Sequence, residues 1–531
     1  MATLRFLGSS PPQAQVSYVV PANVSIGNKF SITVNGKTVN FVATAATVAN
    51  VTAGLVTAIG AASDFPEFAE ITATDSTTYL RLAAATSGVP FTATATAAIG
   101  TGPVTPAPSL TLSATLTTPV NDTFTTNNTG GSLSAITTYY YRVSAVNAVG
   151  ETLASTETSI ATGGGASTYV VNVNWLRVPG ATGYRVYGRS TGAELYIGGV
   201  SAEATLTYAD TGALTPSGAL PGSNTTTISS KGPNHWDDTA NWDTGALPVG
   251  GDTVYIQNLA VDILYGLDQN AVTLAAMYVD ASFTGHIGLP DYTGTYNEYR
   301  DKFLKISVTS LFIGQGQGSG SSLLKINVGS VATTCMVHAT ATPSETGLDA
   351  AFVLRGTSAS NVLRVYKGYV GVALGAGETS NLTGGLYVSY ESNVDGDAKV
   401  RCGSGVTLSG VNQTGGDLTI NSNMGTVTKL AGTMTINGTA TVTTLNLDGG
   451  PVYDRSAGTI TTLKIGDDGV FDASQDSRAQ TITNCTMEVG SALKDPFQRI
   501  TFTNPITLNR CRIEDVELDL GTSITLQRAA A

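Results

Sequence analysis

The sequence predicts a mainly β protein whose C-terminal half is a solenoid of stacked coils, its repeat plainest in the last third. Three observations carry that reading. A phrase returns as Thr426-Val427-Thr428-Lys429-Leu430, Thr441-Val442-Thr443-Thr444-Leu445 and Thr459-Ile460-Thr461-Thr462-Leu463. Between the copies sit Gly432-Thr433-Met434-Thr435-Ile436 and Gly450-Pro451-Val452-Tyr453, turn glycines followed by alternating apolar residues. A repeat of roughly 15–19 residues with two short strands points to stacked units rather than a globular core. No such unit buries its apolar side alone, so neighbours share one interior. Composition agrees: 60 of 531 residues are glycine, only 12% are charged and 42% are apolar. That balance favours short strands joined by tight turns and is apolar enough for real cores.

The length calls for two to four domains. In residues 1–102, Phe30, Ile32 and Val34 alternate with polar neighbours, Asn35-Gly36 follows, and Val39 and Phe41 resume the alternation. Asn-Gly suits the type I′ turn of a hairpin. Val48, Val51, Leu55 and Ile59 then fall at helical spacing. Strands around Phe68–Ala73 and Thr78–Ala83 complete a ββαββ module. A Pro/Thr linker, Thr101–Pro108, separates it from a β-sandwich over 109–222. A second polar linker around Ser223–Lys231 leads into the solenoid, residues 234–531. Its further strands are expected at Val362–Val365, Leu386–Val388, Val406–Leu408, Leu418–Ile420, Val516–Leu520 and Ile524–Leu526.

A formal charge of −12, with no basic run interleaved with aromatics, argues against nucleic acid as a partner. No stretch approaches the roughly 18 apolar residues of a membrane span. The start, Met1–Leu7, lacks the basic and long apolar regions of a secretory signal, which predicts folding in a reducing cytoplasm. Cys335, Cys402, Cys485 and Cys511 are too far apart for a disulfide framework or a zinc site and read as isolated thiols.

No catalytic, cofactor or metal motif emerges. His235, His286 and His338 show no metal-ligand spacing. The run Gly314–Gly320 lacks the Lys-Ser/Thr of a phosphate loop and reads as a turn. Asp395-Gly396-Asp397 is too short for a calcium loop. The carboxylates Asp454, Asp467, Asp468, Asp472 and Asp476 merit more attention, because glycoside cleavage needs two carboxyls about 5–10 Å apart. One coil separates Asp454 from Asp467 and Asp472, and stacked strands lie about 4.8 Å apart. All sit near predicted turns, where Asp bonds its own backbone, so turn formation is the favoured role. Tyr292, Tyr296 and Tyr299, beside Asp291 and Glu298, form the best candidate for a ligand-facing loop, with packing against the solenoid as the simpler reading.

Four parts of the chain carry resemblances. The phrase FSITVNGKTVNFVATAATVANVTAGLVTAI (30–59) resembles a small module of tailed-phage virion proteins. Tyr139–Asn147 with Gly150-Glu151-Thr152, and Trp175 with VPGATGYRVYGRS (178–190), resemble strands of an immunoglobulin-like or fibronectin type III-like sandwich, with the tyrosine strand placed before the tryptophan strand. NHWDDTANWDTGALPVGGDTVYI (234–256) resembles the entry cap of right-handed parallel β-helices, in which Trp236 and Trp242 would cover the first coil. The stretch VYDRSAGTITTLKIGDDGVFDASQDSRAQTITNC (452–485) is similar to phage structural proteins. Together these imply a non-enzymatic virion component that docks by its N-terminal module, as capsid decoration or as fibre or spike. Its partners would be other virion proteins, further copies of itself and possible host-surface glycans. A glycan-cleaving tailspike and a bacterial surface adhesin are the alternatives.

Overall fold

The computed structural model describes residues 2–100, 106–293, 296–347, 349–389 and 398–521. Two compact units emerge, one of Pro11–Gly232 and one of Met1–Ser10 with Pro233–Ala531.

In the first unit the expected hairpin forms from Lys29–Val34 and Lys37–Val42, antiparallel. Asn35 (φ 52°) and Gly36 (φ 84°) both take the left-handed conformation that a type I′ turn requires. The helix runs Val48–Ala61, and the Thr47 side chain caps it by accepting from the Asn50 N–H at 3.3 Å. Val51, Leu55 and Ile59 are buried against Phe30 and Ile32. Phe68 does not open a strand as expected. Pro66 begins a 3₁₀ turn, Pro66–Glu70, and the strand starts at Ile71. Val16–Ala22 pairs with Leu80–Ala84 on one side and Ser109–Ser113 on the other. The segment expected to start the sandwich therefore finishes the first module's sheet.

The rest of this unit holds two antiparallel sheets. Four strands order as Thr158–Ala161, Thr138–Val146, Gly183–Gly188 and Leu195–Val200, and three as Thr207–Asp210, Val170–Asn174 and Thr125–Asn127. Tyr141, Val143, Val171, Val173, Trp175 and Tyr184 fill one core. The Tyr141 hydroxyl donates to Asp210 at 3.0 Å, and Arg189 donates two bonds to the same carboxylate at 2.9 and 2.7 Å. The buried phenol thus meets a charge-balanced acceptor.

The second unit is dominated by one sheet of 23 strands, parallel throughout among the described residues. Strands two apart in the chain also pair, as in Val406–Gln413 with Met424–Lys429 and Asp417–Ile420 with Thr433–Gly438. Successive passes of the chain therefore stack on two faces, a parallel β-helix-like arrangement. The three sequence repeats come into register, Val427 against Leu445 and Leu445 against Leu463. One interior column runs Leu4, Val254, Met277, Leu311, Cys335, Leu363, Leu386, Val411, Val427, Leu445, Leu463, Cys485. Every member is at most 3% exposed. The chain start enters here unexpectedly: Thr3–Arg5 pairs parallel with Thr253–Ile256, so residues 1–10 join the coils and not the ββαββ module. The strand expected at Val516–Leu520 is Glu517–Asp519, while that at Ile524–Leu526 lies outside the described residues, as do Asp395-Gly396-Asp397 and most of the first linker.

Turns stack as strictly as strands. Gly416, Gly432 and Gly450 all adopt left-handed φ values, +70, +76 and +70°. A Cβ on Gly432 would stand 2.3 Å from the Gly416 carbonyl oxygen. Two interior polar side chains satisfy these crowded turns. Gln413 donates to the carbonyls of Gly416 (3.1 Å) and Thr433 (2.9 Å). Lys429, fully buried, donates to those of Gly432 and Gly449, both at 2.7 Å. Burial pushes the Lys429 ammonium down to about 8.

Three outcomes test this packing. Leu445→Asp, which puts a carboxylate into the shared interior, should cost about 4 kcal/mol or more in denaturant unfolding. Gly432→Ala should lower the melting temperature clearly more than Gly438→Ala, since Gly438 (φ +70°) has open space where its Cβ would go. Lysine unfolded titrates near 10.5. Between pH 8 and 10.5 the unfolded chain therefore holds more protons, and stability should rise with pH across that window. Midpoints measured at both ends should lose this component in Lys429→Met.

Candidate functional site

Alternation decides which side chains the coils offer to a partner. Trp236 and Trp242 are not offered at all: both are buried, with rings 4.9 Å apart edge to face, and the Trp242 indole donates to the Trp236 carbonyl at 3.0 Å. Phe6 meets Trp242 at 5.3 Å, so the chain start and this tryptophan turn pack the same end of the interior column.

Outside the first coils runs a ladder that the sequence reading did not isolate. Arg5, Tyr255, Tyr278, Phe312, Met336, Arg364 and Tyr387 occupy one register column. Tyr255, Tyr278 and Phe312 stack with centroids 4.6 Å apart and planes within 6°. The Arg5 guanidinium lies 5.9 Å from the first ring, and Arg364 lies 5.5 Å from Tyr387. The signal was present as apolar–large–apolar triplets: Val254-Tyr255-Ile256, Met277-Tyr278-Val279, Leu311-Phe312-Ile313, Leu386-Tyr387-Val388. Face-to-face stacking uses up ring faces that a sugar would need, so this strip braces the sheet.

The tyrosine loop is tied down mainly by charge. Tyr292 is 56% exposed, while Tyr296 and Tyr299 stack at 6.0 Å and Arg300 covers Tyr299 at 4.7 Å. Arg300 also bonds the buried Glu298 carboxylate at 2.8 Å. Asp291 holds Lys302 (2.6 Å) and the buried Lys325 (3.1 Å), which reaches Glu345 at 2.7 Å. Of the three tyrosines named from sequence, only Tyr292 stands well out into solvent.

The acidic turns do not assemble as a catalytic pair. Asp454 points inward and is fully buried, paired to Arg499 at 2.9 Å. Its register neighbour chain pairs Tyr453 with Asp472, which faces outward and accepts from the Ser474 N–H at 2.8 Å. Asp467 takes a left-handed φ of 35° at a register irregularity within the strand Ile460–Asp472, and Asp468 is exposed beside it. Asp476 is held by Arg478 at 2.6 Å, which drives its carboxyl well below the usual range. Strict alternation from Val452 places Asp454 inside, in a strand and not in the glycine-flanked turn expected for it.

Arg499 is the densest of these interior contacts. Beyond the Asp454 carboxylate it donates to the carbonyls of Asp454 (2.5 Å), Ser456 (3.0 Å), Ala473 (3.0 Å) and Arg478 (3.2 Å). One guanidinium therefore ties three passes of the chain. Burial nevertheless dominates the Asp454 carboxyl and pushes it up to about 6, against the pull of Arg499.

The histidines differ in setting. His235 is buried beside Asp237 (3.2 Å). His338 stacks on Tyr366 at 4.7 Å and meets Gln315 at 3.1 Å. His286 stands between Asp262 and Ser322, one pass of the chain before and one after. Cys335, Cys402 and Cys485 are buried, and burial raises all three thiols. Among the described residues no group of three or more His, Cys, Asp or Glu is arranged to hold a metal ion. No protein-family model matches this chain, and neither does any curated protein or solved structure.

Arg499→Leu should destabilise the second unit by about 3–5 kcal/mol, because it strands a buried carboxylate and several carbonyls. Between pH 4 and 6 the folded chain keeps a proton on Asp454 that the unfolded chain, titrating near 3.8, has lost. Stability from this group should therefore fall as pH rises through that window, and the difference curve between wild type and Asp454→Asn should show it.

Proposed function

We propose that this chain is a structural, surface-displayed component of a tailed-bacteriophage virion, docked through its N-terminal module and presenting a right-handed parallel β-helix. The observation that carries the reading is the interior column from Leu4 to Cys485, whose charged neighbours Lys429, Asp454 and Arg499 are spent on joining coils. Such a stack resists local opening, as a displayed particle component must. Of the carboxylates that a glycan-cleaving spike would use, Asp454, Asp476 and Asp472 are committed to Arg499, Arg478 and a backbone amide. Support for the phage setting comes from the resemblances at residues 30–59 and 452–485. The four- and three-stranded sheets around Tyr141 and Trp175 fit a fibronectin-like spacer with permuted strand order. Capsid decoration is the preferred placement, with other virion proteins and further copies of the chain as partners.

Antibody raised to residues 236–531 should decorate the icosahedral heads of particles in a producing lysate when viewed by electron microscopy. Label confined to the tail tip would replace decoration with receptor binding, and unlabelled particles would overturn the virion assignment.

A further inference from the structure

Asp262, His286 and Ser322 are separated by long stretches of sequence, yet the coils bring them into one outward row. The row is set by a short parallel ladder of buried residues, Ile263 with Ile287 and Ile287 with Leu324. The Ile263 N–H donates to the His286 carbonyl at 2.7 Å, and the Ile287 N–H to that of Leu323 at 3.0 Å. Asp262 and His286 therefore sit about one strand spacing apart, while the position opposite His286 is the buried Leu323 and Ser322, one residue earlier, reaches the ring from beside it.

The atoms face one another in a productive order. Ser322 Oγ lies 3.1 Å from His286 Nε2, and Asp262 Oδ1 lies 3.5 Å from His286 Nδ1. A carboxylate beside Nδ1 favours the tautomer protonated there, which leaves Nε2 to accept the Ser322 hydroxyl proton. The Asp262 carboxylate is itself pinned, since Oδ1 accepts the His286 backbone N–H at 2.8 Å. The carboxylate–imidazole contact is longer than a good hydrogen bond, and such contacts commonly tighten only when substrate arrives. His286 and Asp262 side chains are 34% and 35% exposed, so a substrate can reach the row. The Ser322 backbone N–H meets no acceptor among the described residues and is available to a developing oxyanion. Ser344, on the next pass, holds the Ser322 carbonyl through its N–H (3.2 Å) and hydroxyl (3.3 Å). Beyond it opens a cavity of about 350 Å³ lined by polar groups including Thr342, Glu345, Tyr369, Lys399 and Arg401.

We propose that Ser322, His286 and Asp262 form an acyl-transfer centre that hydrolyses carboxylic esters of small acyl groups on a polar, hydroxylated carrier. The proposal departs from the expectation of a chain without catalysis and does not depend on where the protein is displayed. Ser322 Oγ attacks the ester carbonyl carbon and forms the new C–O bond, while its proton passes to His286 Nε2. The carbon–alkoxide bond breaks, and the imidazolium returns the proton to the departing alcohol. Water then attacks the acyl-serine, gives one proton to His286, and releases the carboxylic acid as Ser322 recovers its hydrogen. Asp262 is a positioning residue, holding the ring in the required tautomer. The reaction is assigned to an ester because its alkoxide leaves more readily than the amine of a resonance-stabilised amide.

The full chain should be treated with a fluorophosphonate probe and, separately, with p-nitrophenyl acetate. Expected are one phosphonyl adduct per chain, on the peptide carrying Ser322, and ester turnover that falls at least about 100-fold in Ser322→Ala and His286→Gln. His338→Gln should keep both signals. Asp262→Asn should lower turnover and alter its pH profile with an unchanged melting temperature, a pattern that a merely structural role would not give. Absence of an adduct, or turnover unchanged in a folded Ser322→Ala protein, would overturn the proposal.

Discussion

Register is the constraint on which the second unit depends. Parallel strands stacked about 4.8 Å apart place each side chain over the equivalent position of the next pass. Apolar residues then form columns, turn glycines lie over turn glycines, and Tyr255, Tyr278 and Phe312 meet face to face at 4.6 Å. A slip of one residue would turn the entire interior column toward water. Because each pass buries its apolar side only against its neighbours, no coil has a structure of its own. An end needs covering for the same reason, and at the first coil Thr3–Arg5, Phe6 and the two tryptophans do it.

Buried charge takes a part in this register that apolar packing cannot. Lys429 bridges the carbonyls of Gly432 and Gly449, and Arg499 bridges carbonyls from the two preceding passes to its own. A polar group in such an interior is costly unless each of its atoms is answered, so these contacts form only when the passes sit correctly. Hydrophobic columns set the approximate stacking; the buried donors select one alignment among several that would bury similar area. The outward row of Asp262, His286 and Ser322 follows from the same alignment, as a consequence of stacking rather than of any local motif.

Much of this architecture was legible in the chain. The Thr-Val-Thr and Thr-Ile-Thr phrases announce outward hydroxyls around an inward apolar residue, and Leu445 and Leu463 are buried as that pattern requires. The hairpin at Asn35-Gly36 and the helix with Val51, Leu55 and Ile59 inward were equally readable, since turn chemistry and periodicity act locally. Thr3–Arg5 was not readable, because its partner strand begins at Thr253 and nothing local marks the pairing. Asp454, read from its glycine-rich surroundings as a turn residue, lies in the strand Val442–Ser456, where alternation from Val452 sends it inward and it still accepts the Ser456 N–H at 3.1 Å. The Asp262–His286–Ser322 row left no sequence signature, because the lengths between its members are set by loops that leave the coils at their corners. The register ladder of Ile263 and Ile287 aligns Asp262 with His286, and the 3.1 Å contact from His286 adds Ser322.

The register itself can be measured directly. Thr426, Thr444 and Thr462 point outward in one column, paired successively across adjacent passes. Spin labels on Thr444 and Thr462 should show strong dipolar broadening in continuous-wave EPR, and labels on Thr426 and Thr462, about 10 Å apart, should show weaker broadening. Spectra of both pairs that equal the sum of the singly labelled chains would contradict the stacked register and, with it, the alignment of every column described above.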